Sequence, residues 1–306
     1  MLLIKISIFA PDINYYYTLL MKIAGFTIIR NAVKFDFPVI EAINSILPIC
    51  DEFVVAVGKS NDGTLDLIKS IDSKKIKIIE TVWDDSLKGE NGKVFALETD
   101  KAFKHISKDV DWAFYIQSDE IVHEDKLEYI KSQMIKYKDD HKVDGLLFNY
   151  KHFYGSYDYL GGNLHWYRRE IRIVRNKSNI YSYKDAQGFR KDSNKKLKVK
   201  HIDAEIYHYG WVRDPKAFAE KVNYQNSMHF QKYKKVENEY DFSEIDVLIP
   251  FEGTHPKVIQ NRINRMNWKF EYNTSLNKHT LKDKFKLFVE KYTNYRVGEY
   301  KNYIRI

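Results

Sequence analysis

The chain has 306 residues, a net charge of +8 and a hydrophobic content of 44%, which is the balance of an ordinary globular protein. Its one cysteine, Cys50, excludes an internal disulfide and predicts a reducing, cytoplasmic location. The positive charge suits three kinds of anionic partner, namely nucleic acid, a lipid surface or a nucleotide diphosphate.

The first twenty residues stand apart from the patterns that follow. Residues 1–10 are apolar but too short to span a bilayer, and no small-residue cleavage pattern follows them. A second methionine, Met21, stands directly before the first convincing strand. We therefore predict that residues 1–20 form an extension outside the fold.

From residue 21 onward, strand and helix patterns alternate. Apolar runs predict strands at 22–29, 52–58, 76–80, 112–116 and 143–150. Apolar residues at helical spacing predict helices that open at Pro38 and that cover 65–71, 94–106 and 125–138. This alternation is typical of an α/β fold with a mostly parallel sheet and helices on both faces.

The second half has a different character. Residues 150–190 are dense in aromatic residues and arginine, with further strands predicted at 170–175 and 205–209, and the lysine-rich segment 190–201 predicts a solvated hairpin or loop. Asp214-Pro215 resembles a helix start, and we predict a basic, helical C-terminal extension at 215–306. The apolar face of its last helix is expected to pack against the domain, with peripheral membrane contact as the alternative.

The clearest chemical signal is the strand that ends in Gln117-Ser118-Asp119-Glu120. The preceding run, 112–116, is apolar and aromatic, as in a strand buried on both faces. Open α/β sheets bind their ligands at the carboxyl ends of strands. Carboxylates there are hard oxygen donors, which suit Mg²⁺ or Mn²⁺. A simple polar turn after a strand is the alternative.

Two other strand ends carry polar residues. Arg30-Asn31 ends the first strand, where Arg30 is placed to hold a phosphate or carboxylate, unless it is an ordinary surface arginine. Asp62-Gly63 follows the second strand and suits a ribose or base contact, although the same pair is also a common turn. The chain has no Gly-x-Gly-x-x-Gly and no P-loop, which disfavours dinucleotide oxidoreductases and P-loop enzymes.

The Arg30-Asn31 strand end, the 61–64 turn and the 117–120 strand end together resemble the family-two glycosyltransferases of the GT-A fold, over residues 23–209. The resemblance implies an inverting enzyme with a GT-A domain at 21–214, divided into a nucleotide half at 21–120 and an acceptor half at 121–214. The family usually has Asp-x-Asp at the acid strand end, which holds a divalent metal on the donor diphosphate. Here Gln117 replaces the first Asp.

The resemblance also implies roles for individual residues. The nucleotide-binding candidates are Arg30, Asn31, Asp62, Gly63, Lys93, Gln117 and Ser118. The candidate ligands of Mn²⁺ or Mg²⁺ are Asp119, His208 and Glu120. The candidate acceptor contacts are Trp166, Tyr167 and Trp211. Asp185 is the predicted general base and Glu170 the runner-up, although the arginines that flank Glu170 suggest a structural ion pair.

The implied reaction moves a sugar from a nucleoside-diphosphate-sugar to a hydroxyl of a glycan or lipid-linked sugar. Three alternatives stay open. A nucleotidyltransferase would share the sheet and the metal, but the Gly-rich loop usual after its first strand is absent. A nucleotide-sugar-binding protein without catalysis is compatible with Gln117, which breaks the metal motif. Nucleic-acid binding is not expected, because no recognition motif accompanies the positive charge.

Overall fold

The computed structural model describes residues 21–243, 245 and 247–306, so the predicted extension at 1–20 lies outside the described residues. The strands are β1 Ile23–Ile29, β2 Glu52–Gly58, β3 Ile76–Thr81, β4 Trp112–Tyr115, β5 Glu120–Val122, β6 Gly145–Tyr154, β7 Tyr159–Gly161, β8 Arg169–Arg175, β9 Ile180–Tyr183, β10 Gly188–Lys191, β11 Lys195–Trp211, β12 Leu248–Pro250 and β13 Tyr303–Arg305. The helices are α1 Val39–Ile46, α2 Thr64–Lys69, α3 Lys93–Lys104, α4 Leu127–Tyr137, α5 Pro215–His229, α6 Gln260–Asn264 and α7 Leu281–Thr293.

The strands form one mixed sheet in the order β3-β2-β1-β4-β8-β6-β11-β10-β9. The first four are parallel, as predicted, because helices cross over between them. Beyond β4 the prediction of a mostly parallel sheet is wrong. Strand β8 runs antiparallel to both β4 and β6, and short turns join β9, β10 and β11 into antiparallel hairpins. The lysine-rich segment 190–201 is part of the last hairpin.

Strand β2 shows how the core is divided, because all of its residues are buried. Val55 and Val57 face a cluster that contains the apolar sides of α1 and α4, whereas Val54 and Ala56 face a cluster that contains α3. Side chains of a strand alternate between the two faces of the sheet. The predicted placement of helices on both faces is therefore confirmed for this half of the sheet.

The C-terminal part begins as predicted and then departs from the prediction. Asp214 caps α5 by accepting hydrogen bonds from the backbone N–H groups of Lys216 and Ala217, and Pro215 occupies the first turn. Segment 215–306 is not a purely helical extension, however. Strand β12 pairs with β7 and strand β13 pairs with β11, so both complete the sheet that the earlier residues begin.

Helix α7 also differs from its prediction. Three of its apolar residues do not pack against the domain: Leu281 is 86% exposed, Phe285 63% and Phe288 61%. Leu287 and Val289 are half-buried. The helix is held instead through Glu290, which pairs with Arg168 and Arg296. No helix in the described part of the chain is both long enough and apolar enough to cross a membrane.

Candidate functional site

A cavity of about 220 Å³, here called the inner cavity, opens at the carboxyl ends of β1 and β4. Strand β11, helices α3 and α5 and the turn between β9 and β10 contribute to its other walls. Its polar lining consists of Arg30, Gln117, Ser118, Asp119, Asp185, His208, Lys221, Tyr224, Gln225 and His229. Parallel strands that end at one edge of a sheet bring these residues together although they are distant in sequence.

Asp119 is the central carboxylate of the inner cavity. Its carbonyl oxygen accepts a hydrogen bond from the Tyr209 N–H at 2.8 Å, which attaches the end of β4 to β11. One carboxylate oxygen accepts from the Lys221 ammonium at 3.1 Å, and the other lies 3.7 Å from Nε2 of His208. Burial alone would raise the pKa of Asp119, but the surrounding positive charge, foremost that of Lys221, lowers it well below its usual range.

The protonation of His208 follows from a chain of two imidazoles. His152 Nε2 lies 2.8 Å from the Tyr167 carbonyl oxygen, which can only accept, so this nitrogen carries a proton. Burial lowers the pKa of His152 to about 3 and that of His208 to about 4, so both rings are neutral. His152 Nδ1 therefore accepts from His208 Nδ1 at 3.1 Å, and a lone pair remains on His208 Nε2 beside Asp119.

Glu120 does not reach the inner cavity. It is fully buried beside Arg172, which donates to its two carboxylate oxygens at 2.7 and 2.8 Å. Tyr150 donates a further hydrogen bond at 2.7 Å and the Gln117 N–H another at 3.0 Å. Both oxygens are thus occupied behind the sheet edge, which argues against the prediction of Glu120 as a metal ligand.

Lys221 is a residue of the site that the sequence analysis missed. Helix α5 places its ammonium against Asp119 and against the Gly210 carbonyl oxygen, at 2.6 Å, in a buried position. Burial lowers the pKa of Lys221 to about 7, and Asp119 opposes this shift. The sequence pattern predicts a separate extension at 215–306, which leaves Lys221 out of the site. The link between His208 and the helix cap at Asp214 is short, so α5 has to begin close to the strand end. This spacing was the available sequence signal for Lys221.

Gly210 makes this close packing possible. A Cβ atom at that position would lie 2.5 Å from His208 Nε2 and 3.0 Å from a carboxylate oxygen of Asp119. A side chain there would therefore push apart the groups that face the cavity.

The residues at the strand end do not fit a divalent metal. Asp119 is the one acidic group of the predicted ligand set that faces the cavity, and the Lys221 ammonium already lies on it. The charges of Arg213 and Lys221 would repel a dication in this buried setting. Among the residues that the structure describes, one group of three carries metal-ligand atoms close together, and it is His123, Glu124 and Asp125 in a turn outside the inner cavity.

Asp185 lies in the turn between β9 and β10, in an unusual backbone setting. Its neighbours Lys184 and Ala186 have φ angles of +57° and +64°, a region that residues other than glycine rarely adopt and that is often found at functional sites. A carboxylate oxygen of Asp185 lies 3.5 Å from Nε2 of His229, and this contact raises the pKa of His229.

The loop before α3 packs closely against Asp185 and His229. A Cβ atom on Gly92 would lie 2.7 Å from the Cβ of Asp185 and 2.7 Å from His229 Nε2, and the φ angle of Gly92 is +73°. The turn that carries Asp185, the loop before α3 and the end of α5 therefore meet here.

A second cavity of about 460 Å³, here called the outer cavity, adjoins the inner one. Gln117 and Asp185 line both. Two of the predicted acceptor residues, Trp166 and Tyr167, line the outer cavity, whereas Trp211 lines the inner one. The two cavities therefore meet at the end of β4 and at the Asp185 turn.

Glu170 also faces the outer cavity. One of its carboxylate oxygens accepts a hydrogen bond from Gln187 at 3.1 Å, and the other is buried without a partner. The expected ion pair with its flanking arginines is not formed, because Arg168 pairs with Glu290 and Glu299 and Arg169 donates to Asn149. Burial raises the pKa of Glu170 to about 8.

The predicted nucleotide-binding residues divide into two groups. Arg30, Gln117 and Ser118 line the inner cavity, and Arg30 is 3.2 Å from Asp85. The residues that do not line it are Asn31, Asp62, Gly63 and Lys93. Lys93 lies instead along a neighbouring groove, where it pairs with Glu90.

The carboxylate of Asp62 accepts hydrogen bonds from neighbouring parts of the fold. It accepts hydrogen bonds from the backbone N–H groups of Lys34 and Thr64, at 2.8 and 3.1 Å, and from the Thr64 hydroxyl. Thr64 in turn accepts from the Ala32 N–H at 2.7 Å. Asp62 thus joins the turn after β2 to the loop after β1, and its predicted contact with the base or ribose stays a prediction.

The chain matches no protein-family model and no curated protein. Solved structures to which part of the chain is similar include TarS of S. aureus, at 19% identity and a TM-score of 0.40, over 67% of this chain and 39% of that one. Residues 1–349 of TarS match at 16% identity and a TM-score of 0.39, over 67% and 64% of the two chains. The 4-diphosphocytidyl-2C-methyl-D-erythritol synthase of Anaerococcus prevotii matches at 10% identity and a TM-score of 0.36, over 69% and 97%.

The chain thus spans less than two thirds of the length of either TarS structure. Because all three TM-scores are below 0.5, its function has to be argued from its own residues.

Proposed function

We propose that this protein is a glycosyltransferase that moves a sugar from a nucleoside-diphosphate-sugar to an acceptor hydroxyl. The observation that carries the proposal is the position of Asp185 on the wall shared by the inner and outer cavities. A donor in the inner cavity and an acceptor in the outer cavity would meet at this carboxylate. The resemblance of the 117–120 strand end to family-two glycosyltransferases supports the same arrangement.

The reaction we propose is a single displacement with inversion at the anomeric carbon. Asp185 takes the proton of the acceptor hydroxyl as the oxygen attacks the anomeric carbon. The bond to the diphosphate oxygen breaks, and its electron pair leaves with the nucleoside diphosphate. Gln117 and Ser118, at the end of β4, are placed to donate hydrogen bonds to the donor.

The outer cavity supplies groups suited to a sugar. Trp166 and Tyr167 offer aromatic surface for a sugar ring. Glu170 also lines this cavity, and with its pKa raised to about 8 it is protonated at neutral pH, so its carboxyl group can donate a hydrogen bond. We therefore assign the outer cavity to the acceptor and give Glu170 a binding role.

Nucleotide binding and turnover test the proposal. The purified protein is titrated with UDP, GDP, CDP and sugar nucleotides of each, and the release of nucleoside diphosphate is measured with and without glycan acceptors. At a ligand concentration about a hundredfold above its dissociation constant, we expect one nucleotide to stabilise the fold by about 2.7 kcal/mol.

The other outcomes separate the alternative functions. Consumption of a nucleoside triphosphate and a sugar phosphate, with release of pyrophosphate, would identify a nucleotidyltransferase. Tight binding of a sugar nucleotide without any turnover would indicate a binding protein. Failure of every nucleotide to bind would contradict the proposal.

We also propose that α7 rests on an anionic lipid surface, where a lipid-linked acceptor would lie. Its exposed apolar residues recur at helical spacing and form one stripe, consisting of Leu281, Phe285, Phe288 and Tyr292. Four lysines accompany them in the same helix, namely Lys282, Lys284, Lys286 and Lys291. An apolar stripe beside cationic side chains is the pattern of a helix that lies in a lipid interface.

Changing both Phe285 and Phe288 to Ser is expected to weaken binding to vesicles that contain anionic lipid by about tenfold or more, because two exposed rings no longer enter the interface. Co-sedimentation measures the effect, with vesicles of neutral lipid as reference. The matched control is Phe230→Ser, which removes a ring that is 53% exposed but lies outside the stripe. Equal binding of the double variant and the wild type would refute the proposed contact.

A further inference from the structure

We propose that Lys221, supported by Arg213, neutralises the diphosphate of the donor in place of a divalent metal, so that donor binding and transfer need no metal ion. This inference rests on the proposed glycosyltransferase function. It gives a role to a buried cation in a region where the sequence analysis expected no site residue. It also accounts for Gln117, which stands where the family usually has a carboxylate.

The geometry of Lys221 suits this role. The ammonium donates to Asp119 and to the Gly210 carbonyl oxygen, at 3.1 and 2.6 Å. An ammonium has three N–H donors, so one is left for a ligand. Lys221 lines the inner cavity beside Asp119 and His208, where the resemblance places the metal. The two protein acceptors fix the direction of the side chain and prepare it for an anion.

The balance of buried charge supports the same conclusion. Five charged side chains lie buried around the end of β4, and these are Asp119, Glu120, Arg172, Arg213 and Lys221. With Lys221 in its ammonium form, three are cationic and two anionic, which leaves one net positive charge. A divalent metal would increase this excess, whereas a diphosphate would offset it. The low dielectric of a buried site makes such an imbalance costly.

Arg213 supplies the second cation. It donates to the Gly210 carbonyl oxygen at 2.9 Å and to the Asp36 carbonyl oxygen at 3.3 Å, and its remaining terminal nitrogen is buried without a partner. Gly210 therefore links both cations, because its carbonyl oxygen accepts from each. Arginine keeps its proton at physiological pH, so the positive charge of this pair persists when the donor is absent.

The chemical step follows from these contacts. When the bond between the anomeric carbon and the diphosphate oxygen breaks, negative charge grows on that oxygen. The Lys221 ammonium stabilises this charge through a charge-assisted hydrogen bond and does not have to give up its proton. Asp119 acts as a positioning residue that holds Lys221, and the bound diphosphate adds further anionic charge that favours the ammonium form.

Isothermal titration of UDP and GDP tests the inference, first in EDTA and then in Mn²⁺. We expect the wild type to bind one of them with dissociation constants that agree within about twofold in the two buffers. Lys221→Met should weaken binding in EDTA by about 10- to 100-fold, because a hydrogen bond from a charged group is lost. The matched control is Lys216→Met, in the same helix but 74% exposed, which should bind as the wild type does.

Two results would overturn the inference and leave the proposed function standing. One is wild-type binding that disappears in EDTA and returns with Mn²⁺, a comparison that needs no variant. The other is a folded Lys221→Met protein that binds in EDTA as tightly as the wild type. If the wild type binds no nucleoside diphosphate in either buffer, CDP included, the proposed function fails and this inference fails with it.

Discussion

Changing Asp185 to Asn is expected to slow sugar transfer by about 10²–10⁴-fold and to leave nucleotide affinity nearly unchanged. The amide keeps the size of the side chain but cannot take the acceptor proton. The contact with His229 at 3.5 Å loses the carboxylate charge but keeps a hydrogen-bonding side chain, so the turn should keep its position. Steady-state rates with the cognate donor, together with titration of the nucleoside diphosphate, measure the two effects separately.

Glu170→Gln is the matched comparison for this prediction. Because the pKa of Glu170 is raised to about 8, its side chain is neutral at pH 7, and the amide resembles that state. We therefore expect Glu170→Gln to keep a far larger share of the transfer rate than Asp185→Asn. A fully active Asp185→Asn together with an inactive Glu170→Gln would assign the general base to Glu170. Loss of nucleotide binding in Asp185→Asn would place Asp185 in the donor site.

Changing Arg172 to Met is expected to lower the free energy of unfolding by about 3–5 kcal/mol. The substitution removes the cation that donates to both carboxylate oxygens of Glu120 and leaves a fully buried carboxylate with its charge unpaired. Urea denaturation followed by circular dichroism measures the change. The effect should exceed that of any surface ion pair, because solvent does not screen the pair.

The double variant Glu120→Gln/Arg172→Met provides the internal control. It removes both charges, so it should recover much of the stability that Arg172→Met loses. Lys126→Met breaks the exposed pair with Asp203 and should cost less than about 1 kcal/mol. An Arg172→Met protein that is as stable as Lys126→Met would show that the Glu120–Arg172 pair does not hold the strand end together.

The sequence by itself determined the elements whose pattern is local. Strands β1 to β4 lie within a residue or so of their predicted positions. For β1, β2 and β4 the reason is that buried parallel strands are continuous apolar runs. The start of α5 follows from Asp214-Pro215, since capping depends on neighbouring residues alone. The resemblance also pointed to the end of β4, where Gln117, Ser118 and Asp119 line the inner cavity.

Only the tertiary structure decided the direction of the later strands and the composition of the cavity. The antiparallel pairing of β8 depends on neighbours far away in the chain, and no local pattern encodes it. The position of Glu120 was also decided by the tertiary structure. The sequence predicts it as a metal ligand beside Asp119, but Arg172 holds its carboxylate behind the sheet edge. Asp119 lies in the turn after β4, whereas Glu120 begins β5, so adjacency in sequence did not make these two carboxylates one site.

Lys221 is a site residue that the sequence did not predict and that only the tertiary structure revealed. In the sequence it is one of two lysines in α5, and nothing local distinguishes it from Lys216. The two differ because α5 packs one face onto the end of β4, which buries Lys221 against Asp119 and leaves Lys216 in solvent. Burial and pairing arise from contacts between distant segments, so the charge that completes the inner cavity emerged only when the chain was folded.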